Sequence, residues 1–82
     1  MKDKKIFEKK ISDLISNYNS GFFLKASRQA KSLLEKNKDD YQLCNIYGII
    51  LLKLQKTQIA TRYFQSSIKL KPDFFEAHFN LL

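Results

Sequence analysis

Histidine and cysteine are the side chains best suited to metal binding, nucleophilic attack and proton transfer, and this chain has one of each, His78 and Cys44. A zinc site needs three or four nitrogen, sulfur or carboxylate ligands converging on one point. A nucleophile needs a base within hydrogen-bond reach. One cysteine also excludes an internal disulfide. Asp39-Asp40 and Ser66-Ser67 are the other pairs that could carry chemistry, and neither has a catalytic base or a metal site to partner it nearby in sequence. They read as cap and helix-surface residues. The expectation is a chain without catalytic residues, cofactor or metal, in which Cys44 is a buried, inert thiol and His78 a packing or surface residue.

The formal net charge is +7, with ten Lys/Arg against six Asp/Glu in residues 1–40 and five against two in residues 41–82. The excess is spread along the chain, apart from the cluster Lys2, Lys4, Lys5, Lys9 and Lys10. Such a balance can favour anionic partners. Only Arg28 and Arg62 are arginine, however, and no basic stretch alternates with base-stacking aromatics. Nucleic-acid readers rely on arginine forks, so the pattern favours a solvated surface over nucleic acid. The basic N-terminus is not followed by an apolar run: Ile6-Phe7 gives way at once to Glu8-Lys9-Lys10, which argues against a signal peptide. The longest apolar stretch, Ile46 to Leu52, is far shorter than the roughly 20 residues of a spanning helix. These features predict a soluble, cytoplasmic chain with no membrane partner.

Along the 82 residues, hydrophobic periodicity points to helices throughout. Two glycines and one proline are too few for a many-stranded β fold. Phe7, Ile11, Leu14, Ile15 and Tyr18 stripe a first helix over about 4–19, closed by Asn19-Ser20-Gly21. Phe23, Ala26, Ala30, Leu33 and Leu34 stripe a second, ended by the polar run 37–40. Residues 41–54 are apolar nearly all round, predicting a helix with neighbours on several sides. A strand over Ile46–Leu52 is the competing reading, but a lone strand would leave its backbone unpaired. A fourth helix spans about 57–70, with Thr57 as its N-cap, and Pro72 forbids its continuation. Asp39 with Gln42, and Asp73 with Glu76, have capping-box spacing for the third and fifth helices.

The helices pair, and Ala26 and Ala60 stand at the same place, each early in the second helix of its pair. Their separation gives a 34-residue period of paired helices, which resembles the tetratricopeptide repeat. The motif is nearly complete in the second unit: Cys44 stands at the Trp place, Tyr47 at the Leu, Gly48 at the Gly and Leu51 at the Tyr. Ala60, Phe64 and Pro72 occupy the Ala, Phe and Pro places. Residues 7–40 form a divergent repeat, 41–74 a clear one, and 75–82 the first helix of a further, truncated repeat. The first helix reads as slipped by one, because Cys44 follows Ile11 by one position less than a full period. The resemblance implies an all-α, antiparallel helix-turn-helix solenoid of five helices, like the N-terminal start of arrays found in bacterial proteins. It places Gly48 and Ala60 at close helix crossings, and Phe64 in the gap between one pair and the next.

The same resemblance implies a protein-binding scaffold whose first helices line a groove for a peptide or partner helix. The groove positions carry over to Gln42, Asn45, Ile49, Leu52 and Lys53, followed by Glu76 and Phe79. With the slip, the first-unit face is Lys9, Ser12, Ser16 and Asn19. Asn45 and Ile49 stand where the family's clamp for chaperone tails wants Lys and Asn, so that clamp is not expected. Phe75, Phe79 and Leu82 are expected to mediate self-association, giving a homodimer through the C-terminal helix. The alternatives are a basic, nucleic-acid-associated helical repeat, or the N-terminal targeting segment of a larger transferase.

Overall fold

The computed structural model describes residues 2–82, with side chains from Asp3 onward. Lys2 of the lysine cluster thus lies outside the described side chains, while Lys4, Lys5, Lys9 and Lys10 are exposed. The fold is all-α, with five helices and no strand among the described residues: α1 (Lys2–Asn19), α2 (Phe23–Lys36), α3 (Tyr41–Lys53), α4 (Thr57–Leu70) and α5 (Phe75–Asn80). Each helix packs on its neighbour in the chain, and α5 also touches α3. The core collects Leu14 from α1, Ala26, Ala30, Leu33 and Leu34 from α2, Leu43, Cys44, Tyr47, Ile50 and Leu51 from α3, and Ala60 and Phe64 from α4. Helix α3 is the central element, as its all-round apolarity implies. Ile46–Leu52 satisfies its backbone groups inside that helix and not in a ladder.

The turn inside each pair is built in the same way. Phe22 N–H donates to the Asn17 carbonyl (2.8 Å) and Gly21 N–H to that of Tyr18 (3.0 Å). Lys56 N–H donates to Leu51 (2.9 Å) and Gln55 N–H to Leu52 (3.0 Å). Both are Schellman motifs, and both need a left-handed residue just past the helix. Gly21 takes it at φ +85° and Gln55 at φ +61°. The turns between pairs also match, with Asp40 N–H on Asn37 (3.2 Å) and Phe74 N–H on Lys71 (3.0 Å). Every member of one set lies one full repeat period from its counterpart, including those at the end of α1. The expected one-residue slip is therefore not present there: Gly21 aligns with Gln55, and Leu14 takes the place of Gly48.

Three caps differ from expectation. Lys56, not Thr57, is the N-cap of α4. The connection is so short that the residue closing the Schellman motif also opens the next helix. Asp40, not Asp39, caps α3, its Oδ1 accepting from Leu43 N–H at 2.9 Å. Asp73 does not cap α5; Phe74 is the N-cap, and Asp73 pairs with Lys71 at 3.4 Å. Ser67 is not a surface residue. It is wholly buried, and its hydroxyl donates to the Tyr41 carbonyl at 2.8 Å, tying α4 to the start of α3.

Phe64 lies against Gly48 of its own pair, where the repeat resemblance places it between pairs. A Cβ on Gly48 would stand 2.5 Å from the Phe64 ring, which is 1% exposed. At the equivalent positions of the first pair stand Leu14 and Ala30, both wholly buried. One pair is small on its first helix and large on its second; the other is the reverse. Gly48→Leu should therefore lower stability by about 1–3 kcal/mol through overpacking, and Phe64→Ala by about 3–5 kcal/mol through a cavity. The double variant, which recreates the Leu14–Ala30 arrangement, should lose at least about 1 kcal/mol less than the two losses together. Urea denaturation of the four proteins checks this; strict additivity would contradict the contact.

Candidate interaction groove

Helices α1, α3 and α5 lie side by side, and shallow depressions run between them. Phe7, Glu8 and Ile11 face Gln42, Leu43 and Ile46 across one of about 210 Å³. Further along, Ile15, Tyr18 and Asn19 meet Ile46, Ile49 and Ile50 across a second, of about 200 Å³. A third, of about 470 Å³, is bounded by Asn45 and Ile49 on α3 and by Phe75, Glu76, Phe79 and Asn80 on α5. Ile46 and Ile49 each border two of these, so the depressions form one continuous face.

The structure brings together Asn45, Ile49, Glu76 and Phe79 of the expected groove in the third depression, while Gln42 lines the first. Leu52, 39% exposed, and Lys53, also exposed, sit at the C-terminal end of α3 beyond these depressions. Asn45 is 6% exposed, its Oδ1 accepting from Asn80 Nδ2 at 2.9 Å. Its amide thus joins α3 to α5 as well as edging the third depression. A buried amide needs such a partner, and Asn80 supplies it.

On α1 the face differs from the expected one. Besides Phe7 and Leu14 it includes Glu8, Ile11, Ile15, Tyr18 and the expected Asn19, each one repeat period before Gln42, Asn45, Ile49, Leu52 and Lys53 in turn. Ser12 and Ser16 are exposed but border none of the three depressions, and Lys9 pairs with Asp13 at 3.6 Å on the open surface. Such an exposed pair contributes little. The slipped register hides Ile15. Ile46 escapes as well, because an isoleucine in an all-apolar helix carries no signal of which neighbour it meets. Phe75, expected in self-association alone, also lines the groove.

The cations lie mostly elsewhere. Lys4, Lys5, Lys9 and Lys10 are exposed on α1, Lys25, Arg28, Lys31 and Lys36 on α2, and Arg62 and Lys69 on α4, none of them lining the three depressions; α3 carries only Lys53, and α5 no Lys or Arg. Cys44 is 3% exposed, at the edge of a depression between α2 and α4 lined by Leu34, Glu35 and Tyr63. Burial pushes its thiol pKa up, and the nearby Asp40 and Asp39 carboxylates push it further. Tyr63 is raised as well, first by burial and then by Tyr47, whose ring lies edge-on at 4.7 Å. His78 is exposed, with Nε2 2.7 Å from the Pro72 carbonyl. Among the described residues, no three His, Cys, Asp or Glu side chains are grouped to hold a metal ion, and no helix is long and apolar enough to cross a membrane. No protein-family model, curated protein or solved structure matches the chain.

The raised thiol makes stability depend on pH. Above the ordinary thiol value the unfolded chain loses a proton that the folded chain keeps, so stability is full below that value and falls as pH rises through it. The urea midpoint of the wild type should drop between about pH 7 and about pH 10. It should drop less in Cys44→Ala, which lacks the thiol but keeps the raised Tyr63. Equal slopes would show that the thiol is not held neutral by the fold.

Proposed function

We propose that the chain is a non-enzymatic interaction module of tetratricopeptide type, taking a peptide or partner helix along the face formed by α1, α3 and α5. The observation that carries this reading is the recurrence of that face at the repeat period. Glu8, Gln42 and Glu76 form one column, Ile11, Asn45 and Phe79 the next, and Ile15 and Ile49 a third. Its apolar members face outward into the depressions, and apolar clefts with a few polar groups at their margins suit peptide recognition. The exposed cations of α2 and α4 support the other reading, a surface for nucleic acid.

A displayed library of helical peptides, selected against the chain, separates the two. Groove binding should enrich sequences with apolar residues at helical spacing. Ile49→Asp should weaken the selected peptides by about tenfold or more, and Arg62→Ala should leave them unchanged. Raising salt should change affinity only a few-fold. Binding to oligonucleotides alone, falling by about a thousandfold or more over the same salt range and abolished by removing the α2 and α4 cations, would replace the reading.

A further inference from the structure

The two ends of the helix stack differ in chemistry. On the side that faces the first pair, α3 and α4 present Cys44, Tyr47, Leu51 and Tyr63, of which the first three are buried. The positions one repeat period earlier are Lys10, Asp13, Asn17 and Gln29. Lys10 and Asp13 are exposed, and Asn17 Nδ2 donates to Gln29 Oε1 at 2.8 Å. This side of the first pair is thus polar where the matching side of the second is apolar.

The other end is open. Phe75, Phe79 and Leu82 are 71%, 61% and 99% exposed, and the two rings lie against each other with centroids 6.2 Å apart. Two repeat periods earlier, on α1, their counterparts are Phe7, Ile11 and Leu14, of which Leu14 is wholly buried and the other two half-buried. On α1 these positions are covered by later helices; on α5 they are bare.

We infer that this end is covered by the same end of a second copy, giving a two-fold symmetric dimer through α5. Three observations select that occupant. Head-to-tail stacking would set Phe75, Phe79 and Leu82 against Lys10, Asp13 and the Asn17–Gln29 pair, desolvating Lys10 and the Lys9–Asp13 ion pair against apolar side chains. A self-complementary patch avoids this and closes after two copies. Second, residues 73–82 contain Asp73 and Glu76 and no Lys or Arg, so the cations that make the chain +7 stay clear of the contact. Third, the exposed parts of the two phenylalanines and Leu82, with the partly exposed Leu81 between them in sequence, amount to about 500 Å² per copy. A pair then buries about 1,000 Å², at the lower edge of specific interfaces. The dimer is accordingly weak and concentration-dependent.

Sedimentation velocity of the full chain from low to high micromolar concentration tests this, with circular dichroism to confirm that each variant is folded. The wild type should pass from monomer to dimer and stop there. Phe79→Asp and Phe79→Lys should each raise the dissociation constant by about tenfold or more. Mixing these two variants should restore a heterodimer, because a two-fold contact sets the two substituted positions near each other. Lys10→Glu should change nothing. A monomer at every concentration would overturn the inference, as would open-ended growth, or association that responds to Lys10→Glu but not to the Phe79 variants. Because Phe75 and Phe79 also line the groove, the peptide selection is run at a concentration where the chain is monomeric. A chain that stays monomeric throughout and binds peptides refutes only this inference. A chain that dimerises but binds no peptide at that dilution refutes only the groove.

Discussion

The Phe64 ring over Gly48 sets the distance between α3 and α4, and the groove depends on that distance. With no side chain at position 48, the backbone of α3 comes close enough for the ring to be wholly buried. Only then does Ser67 reach the Tyr41 carbonyl at 2.8 Å. Helix α5 packs on both α3 and α4, so its position follows from theirs. The third depression, and the Asn45–Asn80 hydrogen bond beside it, are set by the same spacing. The first pair solves the equivalent problem with Leu14 and Ala30. What persists between the pairs is one large side chain meeting one small one, and not the identity of either. Close-packed interiors tolerate such exchange when volume is roughly kept.

Equivalent packing yields equivalent faces only if the turns agree, and here backbone hydrogen bonds enforce the agreement. Each within-pair turn is a Schellman motif whose last residue also opens the next helix. Phe22 and Lys56 therefore serve as N-caps without any side-chain acceptor. The helix starts are held by geometry in place of capping chemistry. The second turn is the more strained, since Gln55 lacks the freedom that glycine has in the left-handed region, at a cost on the order of 1 kcal/mol. The pair of hydrogen bonds to Leu51 and Leu52 offsets it. Two congruent turns then bring residues one period apart into columns, which is how Ile15 and Ile49 come to share one face.

Much of this was legible in the residues. The five helices follow from apolar periodicity, and the buried stripe of α2 is the one its spacing predicts. The features that escaped are those set by backbone conformation. A glutamine announces nothing about a positive φ, so the turn at Gln55 could not anchor the register. Matching Ile11 to Cys44 by apolar character then suggests a slip that the turns do not contain. Asp39 and Asp40 are indistinguishable as caps until the helix start is known to within one residue. Asn45 had the correct position but a second role, because its partner Asn80 lies two helices further on, and pairings between helices leave no local pattern. The periodicity put Asn45 and Ile49 on α3 beside Glu76 and Phe79 on α5, but it carried Leu52 and Lys53 too far and left out Ile46. On α1 it failed, because residue type was weighed above the spacing fixed by the turns.

Charge is distributed as unevenly as apolar exposure. A chain of net charge +7 repels its own copies at long range, which limits indiscriminate association. That repulsion acts mainly from α2, α4 and the exposed lysines of α1. It is weakest beside α5, where residues 73–82 carry only Asp73 and Glu76. The largest exposed apolar side chains lie in that same stretch, at Phe75, Phe79 and Leu82. Low repulsion and high apolar exposure therefore coincide at one end of the stack, while the opposite end carries Lys10 and Asp13 in place of buried Cys44 and Tyr47. Electrostatics and burial select the same surface independently. The apolar end of the stack is thus also the part of the surface least opposed by like charge, although most of the molecule's surface is strongly charged.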